Sequence, residues 1–171
     1  MTVAPTPVRI VHLPVEALAA LGRGDLAAAQ MASPVPLSPW LAGPENARIW
    51  QWRHRQVLAD PIEAAWVTGV IWDVPGARAV GRAGFHGRPE HGLVEIGYAV
   101  DPAYRRRGHA GAALAALLDR AAREPEVTTV RLSIRPDNAP SLALAARHGF
   151  LRTGEQWDEE DGLELVFERP A

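Results

Sequence analysis

The clearest hydrophobic pattern in the chain is a strict alternation over residues 93–100, which predicts a β-strand. One face of this strand is bulky and apolar, with Val94, Ile96, Tyr98 and Val100. The other face carries a single carboxylate among small neighbours, with Leu93, Glu95, Gly97 and Ala99. Pro102 cannot donate to a sheet and restricts the residue before it, so the strand is expected to end near Asp101.

A helical repeat follows this strand and predicts a long amphipathic helix that ends before Pro125. Its apolar positions have the spacing of one buried stripe: Ala110, Ala113, Leu114, Leu117, Leu118 and Ala121. Other apolar segments predict strands at residues 8–13, 63–74, 78–86, 127–134, 153–157 and 163–168. Further helices are predicted at residues 15–21, 45–58 and 142–148. Four prolines over residues 32–44 indicate an ordered loop without regular structure.

The order of these elements predicts a mixed sheet. Two turns, at residues 75–76 and 87–92, connect strands two, three and four into an antiparallel meander. The long helix then crosses over to strand five. Because such crossovers are right-handed and join parallel strands, strands four and five are expected to be parallel neighbours. The N-terminus of the crossover helix therefore lies at the carboxyl end of strand four, where open α/β sheets bind ligands.

Composition narrows the possible functions. The 171 residues carry a net charge of −2, whereas a nucleic-acid-binding protein is expected to be basic. The absence of cysteine excludes disulfides, thiolate catalysis and cysteine metal ligands. Six dispersed histidines have no metal-binding spacing, so no metal is expected. Without a membrane-length apolar run or a signal-peptide pattern, we expect a cytoplasmic protein with no membrane or nucleic-acid partner.

The loop between strand four and the long helix has the chemistry of an anion-binding site. Three consecutive arginines and two glycines lie within residues 105–111. A helix N-terminus offers backbone N–H groups without internal partners, together with partial positive charge. Glycine lets a ligand approach the backbone, and arginine donates to phosphate oxygens. A diphosphate suits this loop, although a surface arginine cluster that binds nucleic acid is the alternative.

Two motifs resemble a known family. The pattern Arg105-x-x-Gly108-x-Ala110, at the start of an alanine-rich helix, resembles the acetyl-CoA signature of the GNAT superfamily of N-acetyltransferases. Asn138-x-x-Ser141, followed by a short helix and Gly-Phe at 149–150, is similar to a second family element. With the Glu-Ile-Gly-Tyr sequence at 95–98, these motifs most resemble the branch that includes the ribosomal-protein N-terminal acetyltransferases RimJ and RimL.

The resemblance implies one GNAT-like α/β domain over residues 1–171. Its mixed, mostly antiparallel sheet should have six to seven strands and about four flanking helices. Acetyl-CoA is the implied cosubstrate. The residues expected to bind it are Tyr98, Ala99, Val100, Arg105, Arg106, Arg107, Gly108, His109, Ala110, Gly111 and Asn138. Asn138 is also suited to cap the following helix, and the two roles are compatible.

Acetyl transfer requires a group that removes a proton from the amine, because α-amino and lysine pKa values are about 8 and about 10.4. Glu95 is the expected base, with a solvated strand residue as the alternative reading, and His86 is a second candidate. Many relatives carry a tyrosine acid four residues after the position of Ser141. Here that residue is Ala145, so solvent, Ser141 or another group must protonate the thiolate. Backbone N–H groups of residues 98–100 are expected to stabilise the oxyanion if strands four and five splay apart.

In acetyltransferases of this shape, the loop and helix that precede the second strand in the sequence usually form a wall of the acceptor site, so we expect the acceptor site there. The candidate acceptor-binding residues are Trp40, Trp50, Trp52 and His86. Tryptophans at helical spacing also fit a core role. We expect acetyl transfer to a primary amine, of a small molecule or a protein N-terminus, by direct attack in a ternary complex of a monomer or homodimer. The alternative is a non-catalytic CoA-binding or regulatory module.

Overall fold

A computed structural model describes residues 7–171, and these residues form one seven-stranded sheet. The strands are β1 (Val8–Val11), β2 (Gly69–Asp73), β3 (Arg78–Phe85), β4 (Leu93–Val100), β5 (Thr129–Ile134), β6 (Leu151–Asp158) and β7 (Gly162–Pro170). Their order across the sheet is β1-β2-β3-β4-β5-β7-β6. Every neighbouring pair is antiparallel except β4–β5, so the predicted mixed α/β architecture is confirmed.

Five α-helices lie in the described part of the chain, slightly more than the predicted four. They are α1 (Val15–Gly22), α2 (Leu26–Ala32), α3 (Pro44–Ala59), α4 (His109–Ala121) and α5 (Ala139–Arg147). The sequence analysis missed α2. This helix begins where the Asp25 side chain accepts the Ala28 N–H, but it has only seven residues and buries only Ala29. Its apolar pattern is therefore too short to show a helical period.

Two segment predictions were wrong in part. Residues 63–74 were predicted to be one strand, but the chain first forms a 3₁₀ turn at Pro61–Ala65 and β2 begins only at Gly69. Asp60 starts this turn by accepting the Ile62 N–H, and the ring of Pro61 fixes the φ angle of Pro61 in the range that the turn needs. The proline-rich segment 32–44 also contains a 3₁₀ turn, Pro39–Ala42, which begins with proline in the same way.

The sheet separates two apolar cores. One core lies under α4 and α5 and includes Leu114 and Val130. The other lies under α1 and α3 and includes Leu18 and Val70. The predicted stripe of α4 is buried at Ala113, Leu114, Leu117 and Ala121. This packing fixes the position of the α4 N-terminus relative to the carboxyl end of β4.

The predicted topology around β4 is confirmed. Strands β2, β3 and β4 form the antiparallel meander, and β4 runs parallel to β5. The β4–β5 pairing ends at the Glu95–Arg131 pair, although both strands continue beyond it. An opening therefore separates the carboxyl-terminal halves of β4 and β5, which is the condition that the sequence analysis set for backbone stabilisation of the oxyanion.

Backbone donors of β4 face this opening. The Glu95 carbonyl and the Asp101 N–H both bond to residues on the β3 side of the strand. Backbone groups of successive residues point alternately to the two sides of a strand. The N–H groups of Tyr98 and Val100 therefore point toward β5, beyond the last β4–β5 pair.

Candidate functional site

Two cavities meet at the opening between β4 and β5. The first, which we call the α4 cleft, has a volume of about 690 Å³ and lies at the N-terminus of α4. The second, which we call the hairpin cavity, has a volume of about 670 Å³ and lies between α3, β4 and the β6–β7 hairpin. Tyr98, Asn138 and Ser141 line both cavities. An extended ligand can therefore reach from one cavity into the other.

The backbone at the start of α4 is shaped to bind an anion. Gly108 precedes the helix with φ of +84°, and Arg106 also has a left-handed φ, of +58°. Left-handed residues in a turn can point successive N–H groups toward one side and so form an anion-binding concavity. The positive end of the α4 dipole adds to it. The space where a side chain of Gly108 would project is open.

The structure brings most of the predicted cofactor residues together in the α4 cleft. The cleft is lined by Tyr98, Ala99, Val100, Arg105, Arg106, Gly108, His109, Ala110, Gly111 and Asn138. Arg107 places its guanidinium 5.7 Å from the centre of the Tyr104 ring. The imidazole of His109 is buried, with Nδ1 3.1 Å from the Tyr104 carbonyl oxygen. The His109 imidazole is therefore held against the turn that precedes α4.

One face of α5 completes the α4 cleft, and the sequence analysis missed it. The additional lining residues are Tyr104, Pro140, Ala143, Leu144 and Arg147. The last four have the spacing of a single helical face, counted from the first turn of α5. That periodicity is the signal that could have identified them. Arg147 adds a cation at the end of the cleft.

We call the region where the α4 cleft meets the hairpin cavity the junction. Asn138 and Ser141, at the start of α5, form one wall of this junction. The Asn138 Oδ1 atom accepts a hydrogen bond of 3.2 Å from the Ser141 N–H, so the predicted helix-capping role of Asn138 is confirmed. The cap fixes the Ser141 side chain at the boundary of the two cavities. Ala145, one turn further along α5, is fully buried.

His86 and Glu95 are brought together in the hairpin cavity. The distance from His86 Nδ1 to Glu95 Oε1 is 3.7 Å. The β3–β4 register produces this pair, because the His86 N–H donates to the Glu95 carbonyl oxygen at 2.8 Å. The His86 ring lies over Gly97, where an added Cβ would come within 2.9 Å of Nε2. Nε2 therefore faces the β4 backbone next to the junction.

Burial and two neighbouring arginines favour the neutral form of the His86 imidazole. Burial lowers the pKa of His86 below its ordinary value of 6.5, the Glu95 carboxylate opposes this shift, and Arg53 and Arg82 reinforce it. A titration of the imidazole by NMR is expected to give a pKa below 6.5. In Glu95→Gln the pKa should fall further, because the group that raises it has been removed. A pKa above 6.5, or an increase in the variant, would contradict this description of the cavity.

Two arginines that the sequence analysis did not single out form the floor of the hairpin cavity. Arg53 is fully buried; its Nε donates to Thr68 Oγ1 at 3.1 Å and its Nη1 to the His86 carbonyl at 3.0 Å. Arg82 Nε donates to Asn46 Oδ1 at 2.7 Å. Burial lowers the pKa of Arg53 and that of Arg82 to about 10, and Arg82 adds to the effect on Arg53. Both side chains are still cationic at neutral pH.

The three candidate tryptophans occupy different environments. Trp50 is fully buried in the core under α3, and its Nε1–H donates to the Leu41 carbonyl at 2.7 Å. Trp40 is half-buried against the same core. Trp52 is 51% exposed and lines the hairpin cavity, with its ring 6.4 Å from that of His86. The structure thus places Trp52 and His86 at the cavity and packs Trp50 in the interior.

The entrance to the hairpin cavity is acidic. The carboxylates that line it are Glu45, Asp158, Glu160, Asp161 and Glu164. Glu160 pairs with Arg48. Burial raises the pKa of Glu164, Asp158 and Asp161 raise it further, and the Gln156 amide counteracts them. Arg135 also lines this cavity and pairs with Asp137, so the negative charge is concentrated at Asp158, Asp161 and Glu164, which lie close to one another.

The described residues contain neither a metal-binding cluster nor a membrane-spanning helix. Within residues 7–171, no three His, Cys, Asp or Glu side chains are grouped so that they could hold a metal ion. None of the helices in this part of the chain is both long and apolar enough to cross a bilayer. His12, for example, contacts the Val67 carbonyl oxygen and the Arg120 guanidinium.

Comparison with known families decides the assignment. The model of the family described as acetyltransferase (GNAT) domain matches residues 17–151, which is most of the chain. The chain belongs to the GNAT acetyltransferase family. The resemblance in the sequence motifs is thereby confirmed. No curated protein sequence matches the chain.

Solved structures of other GNAT proteins share this fold. Mycobacterium smegmatis RimJ in complex with CoA-disulfide has a TM-score of 0.67 and 24% identity, covering 98% of this chain and 84% of that chain. RimL, the ribosomal L7/L12 α-N-protein acetyltransferase, in complex with coenzyme A has a TM-score of 0.65 and 18% identity, and the match covers 96% of this chain and 94% of that chain. A chimera of Vibrio cholerae spermidine N-acetyltransferase SpeG and hSSAT has 0.64 and 15%, covering 95% of both chains. At identities of 15% to 24%, these neighbours show a shared fold.

Proposed function

We propose that this GNAT protein transfers the acetyl group of acetyl-CoA to a primary amine that is cationic in solution, on a small molecule or a protein N-terminus. The observation that carries the proposal is the meeting of two differently charged cavities at the β4–β5 opening. One cavity suits a diphosphate and the other suits an ammonium group. A thioester at their junction would lie beside the backbone N–H groups of Tyr98 and Val100.

The residues of the α4 cleft fit acetyl-CoA. Arg106 and Gly108 turn the backbone N–H groups toward one site, and Arg105 and Arg147 supply further donors around it. The cleft then continues past α5 to the junction, as an extended pantetheine arm requires. The bound cosubstrate supplies the activated acetyl group. The N–H groups of Tyr98 and Val100 are placed to stabilise the negative charge that develops on the carbonyl oxygen.

The hairpin cavity is suited to deprotonate the amine. Carboxylates at the entrance attract the ammonium form, whereas Arg53 and Arg82 on the floor favour the neutral amine by electrostatic repulsion. His86 is neutral and accepts the proton on Nε2, while Glu95 stabilises the imidazolium that results. The proton is thus removed on the side of β4 where the thioester carbonyl lies.

The proposal is tested by measuring release of the CoA thiol with acetyl-CoA and a panel of amines. Polyamines and peptides with basic residues near the N-terminus are expected to be acetylated, and their KM should increase with salt because the entrance carboxylates are screened. Neutral amines of similar size should have a higher KM that depends little on salt. CoA binding without turnover on any amine would contradict the proposal and favour a non-catalytic CoA-binding module.

A further inference from the structure

The hydroxyl group of Tyr98 is buried without a hydrogen bond of good geometry in the part of the chain that is described. Most buried polar groups in native proteins are paired, so an unpaired hydroxyl calls for an explanation. Tyr98 does not lie in a sealed core. It is one of the three residues shared by the α4 cleft and the hairpin cavity. A ligand that crosses the junction therefore passes this hydroxyl.

The proposed reaction needs a proton donor at the same place. When the carbon–sulfur bond breaks, its electron pair goes to sulfur, and a thiol has a pKa of about 8.5. Ala145 on the facing helix has only a buried methyl group and cannot donate. Of the three residues shared by the two cavities, Tyr98 and Ser141 carry hydroxyl groups. Of these two, the phenol is far the stronger acid.

We infer that Tyr98 protonates the thiolate of CoA as it departs, with the Ser141 hydroxyl as its neighbour in the junction. This inference rests on the proposed acetyl transfer. The amine nitrogen forms a bond to the acetyl carbon, the carbon–sulfur bond breaks, and the Tyr98 O–H gives its proton to sulfur. The nitrogen, positively charged after the attack, loses its second proton, and the phenolate recovers this proton through water or Ser141, while His86 releases to solvent the proton that it took from the ammonium group. The products are the acetylated amine and the CoA thiol.

The environment of Tyr98 keeps its hydroxyl group protonated. Burial raises the pKa of Tyr98 above its ordinary value of 10.0, and the nearby Ser141 side chain partly opposes the shift. The phenol is therefore protonated at neutral pH before each turnover. The Tyr98 ring is held in place by the core under α4, which directs its hydroxyl toward α5.

The kinetic test compares Tyr98→Phe with Ser141→Ala. Tyr98→Phe removes one oxygen atom and should lower the single-turnover rate at saturating substrates by about 100-fold. The Kd for CoA should stay near that of the wild type, since the diphosphate site is untouched. Ser141→Ala should have a smaller effect on the rate. A wild-type rate in Tyr98→Phe, or a loss confined to Ser141→Ala, would overturn the inference.

A second test does not depend on turnover or on the folding of a variant. The chain has two tyrosines, so wild-type protein labelled at tyrosine Cζ should give two NMR signals. CoA is expected to shift the Tyr98 signal more than desulfo-CoA does, because only CoA brings sulfur to the hydroxyl. The Tyr104 signal, next to the α4 loop, should respond equally to both. Equal shifts of the Tyr98 signal with both compounds would contradict a contact between the CoA sulfur atom and the Tyr98 hydroxyl.

The proposed acetyl transfer and the role of Tyr98 can be contradicted separately. A wild-type protein that acetylates no amine contradicts the proposed function. An active wild type with an equally active Tyr98→Phe variant contradicts only the role assigned to Tyr98.

Discussion

Replacing His86 with asparagine is expected to lower kcat/KM for amine acetylation by about 100- to 1000-fold, the usual contribution of a general base. Asparagine keeps a polar side chain over Gly97 but cannot accept a proton at neutral pH. Steady-state rates at saturating acetyl-CoA measure the effect. Glu95→Gln should lose less activity, because it leaves the imidazole in place and removes only the charge that stabilises its protonated form.

His91→Asn is the matched control for this substitution. His91 is an exposed residue of the same β3–β4 connection and does not line the hairpin cavity. Its left-handed backbone, with φ of +50°, is a conformation that asparagine tolerates well. This variant should acetylate amines at the wild-type rate. Undiminished activity in both His86→Asn and Glu95→Gln would remove this pair from the mechanism.

Gly108→Glu is expected to weaken CoA binding by about 100-fold, which corresponds to about 2.8 kcal/mol. A carboxylate at this position would project into the space that the diphosphate needs and would repel it. The left-handed φ of +84° also disfavours any side chain. Isothermal titration calorimetry with CoA measures the change without requiring an acceptor.

Gly149→Glu separates the two causes of this loss. Gly149 follows α5 with φ of +75°, and the space beside it is as open as that beside Gly108. The control therefore introduces the same charge and a similar backbone strain outside the residues that line the α4 cleft. It should be destabilised yet bind CoA as the wild type does. Equal losses of affinity in both variants would mean that strain, and not the anion site, explains the result.

The sequence predicted those parts of the structure that depend on local rules. The alternating residues of β4 and the apolar stripe of α4 each follow from short-range sterics and burial. The handedness of the crossover then placed β5 beside β4. Together these rules place the arginine- and glycine-containing loop at the carboxyl end of β4 from the sequence alone.

Features that depend on packing between distant segments were not predictable in the same way. His86 and Glu95 were both identified, but their contact depends on the β3–β4 register, which a connection of seven residues does not determine. Trp50 and Trp52 are close in the helix, and only the position of α3 on the sheet decides which is buried. Arg53 has no sequence signal of burial, because two of the groups that accept its hydrogen bonds belong to Thr68 and His86, which are distant in the sequence.

The central claim is that the thioester lies in the β4–β5 opening, and a crystal structure of the CoA complex tests it most directly. The account predicts a diphosphate on the amide groups around Gly108 and a pantetheine arm that runs between α5 and β4. The sulfur atom should lie within reach of the Tyr98 hydroxyl, on the side that faces His86. A diphosphate bound elsewhere, or a sulfur atom outside the opening, would contradict the account.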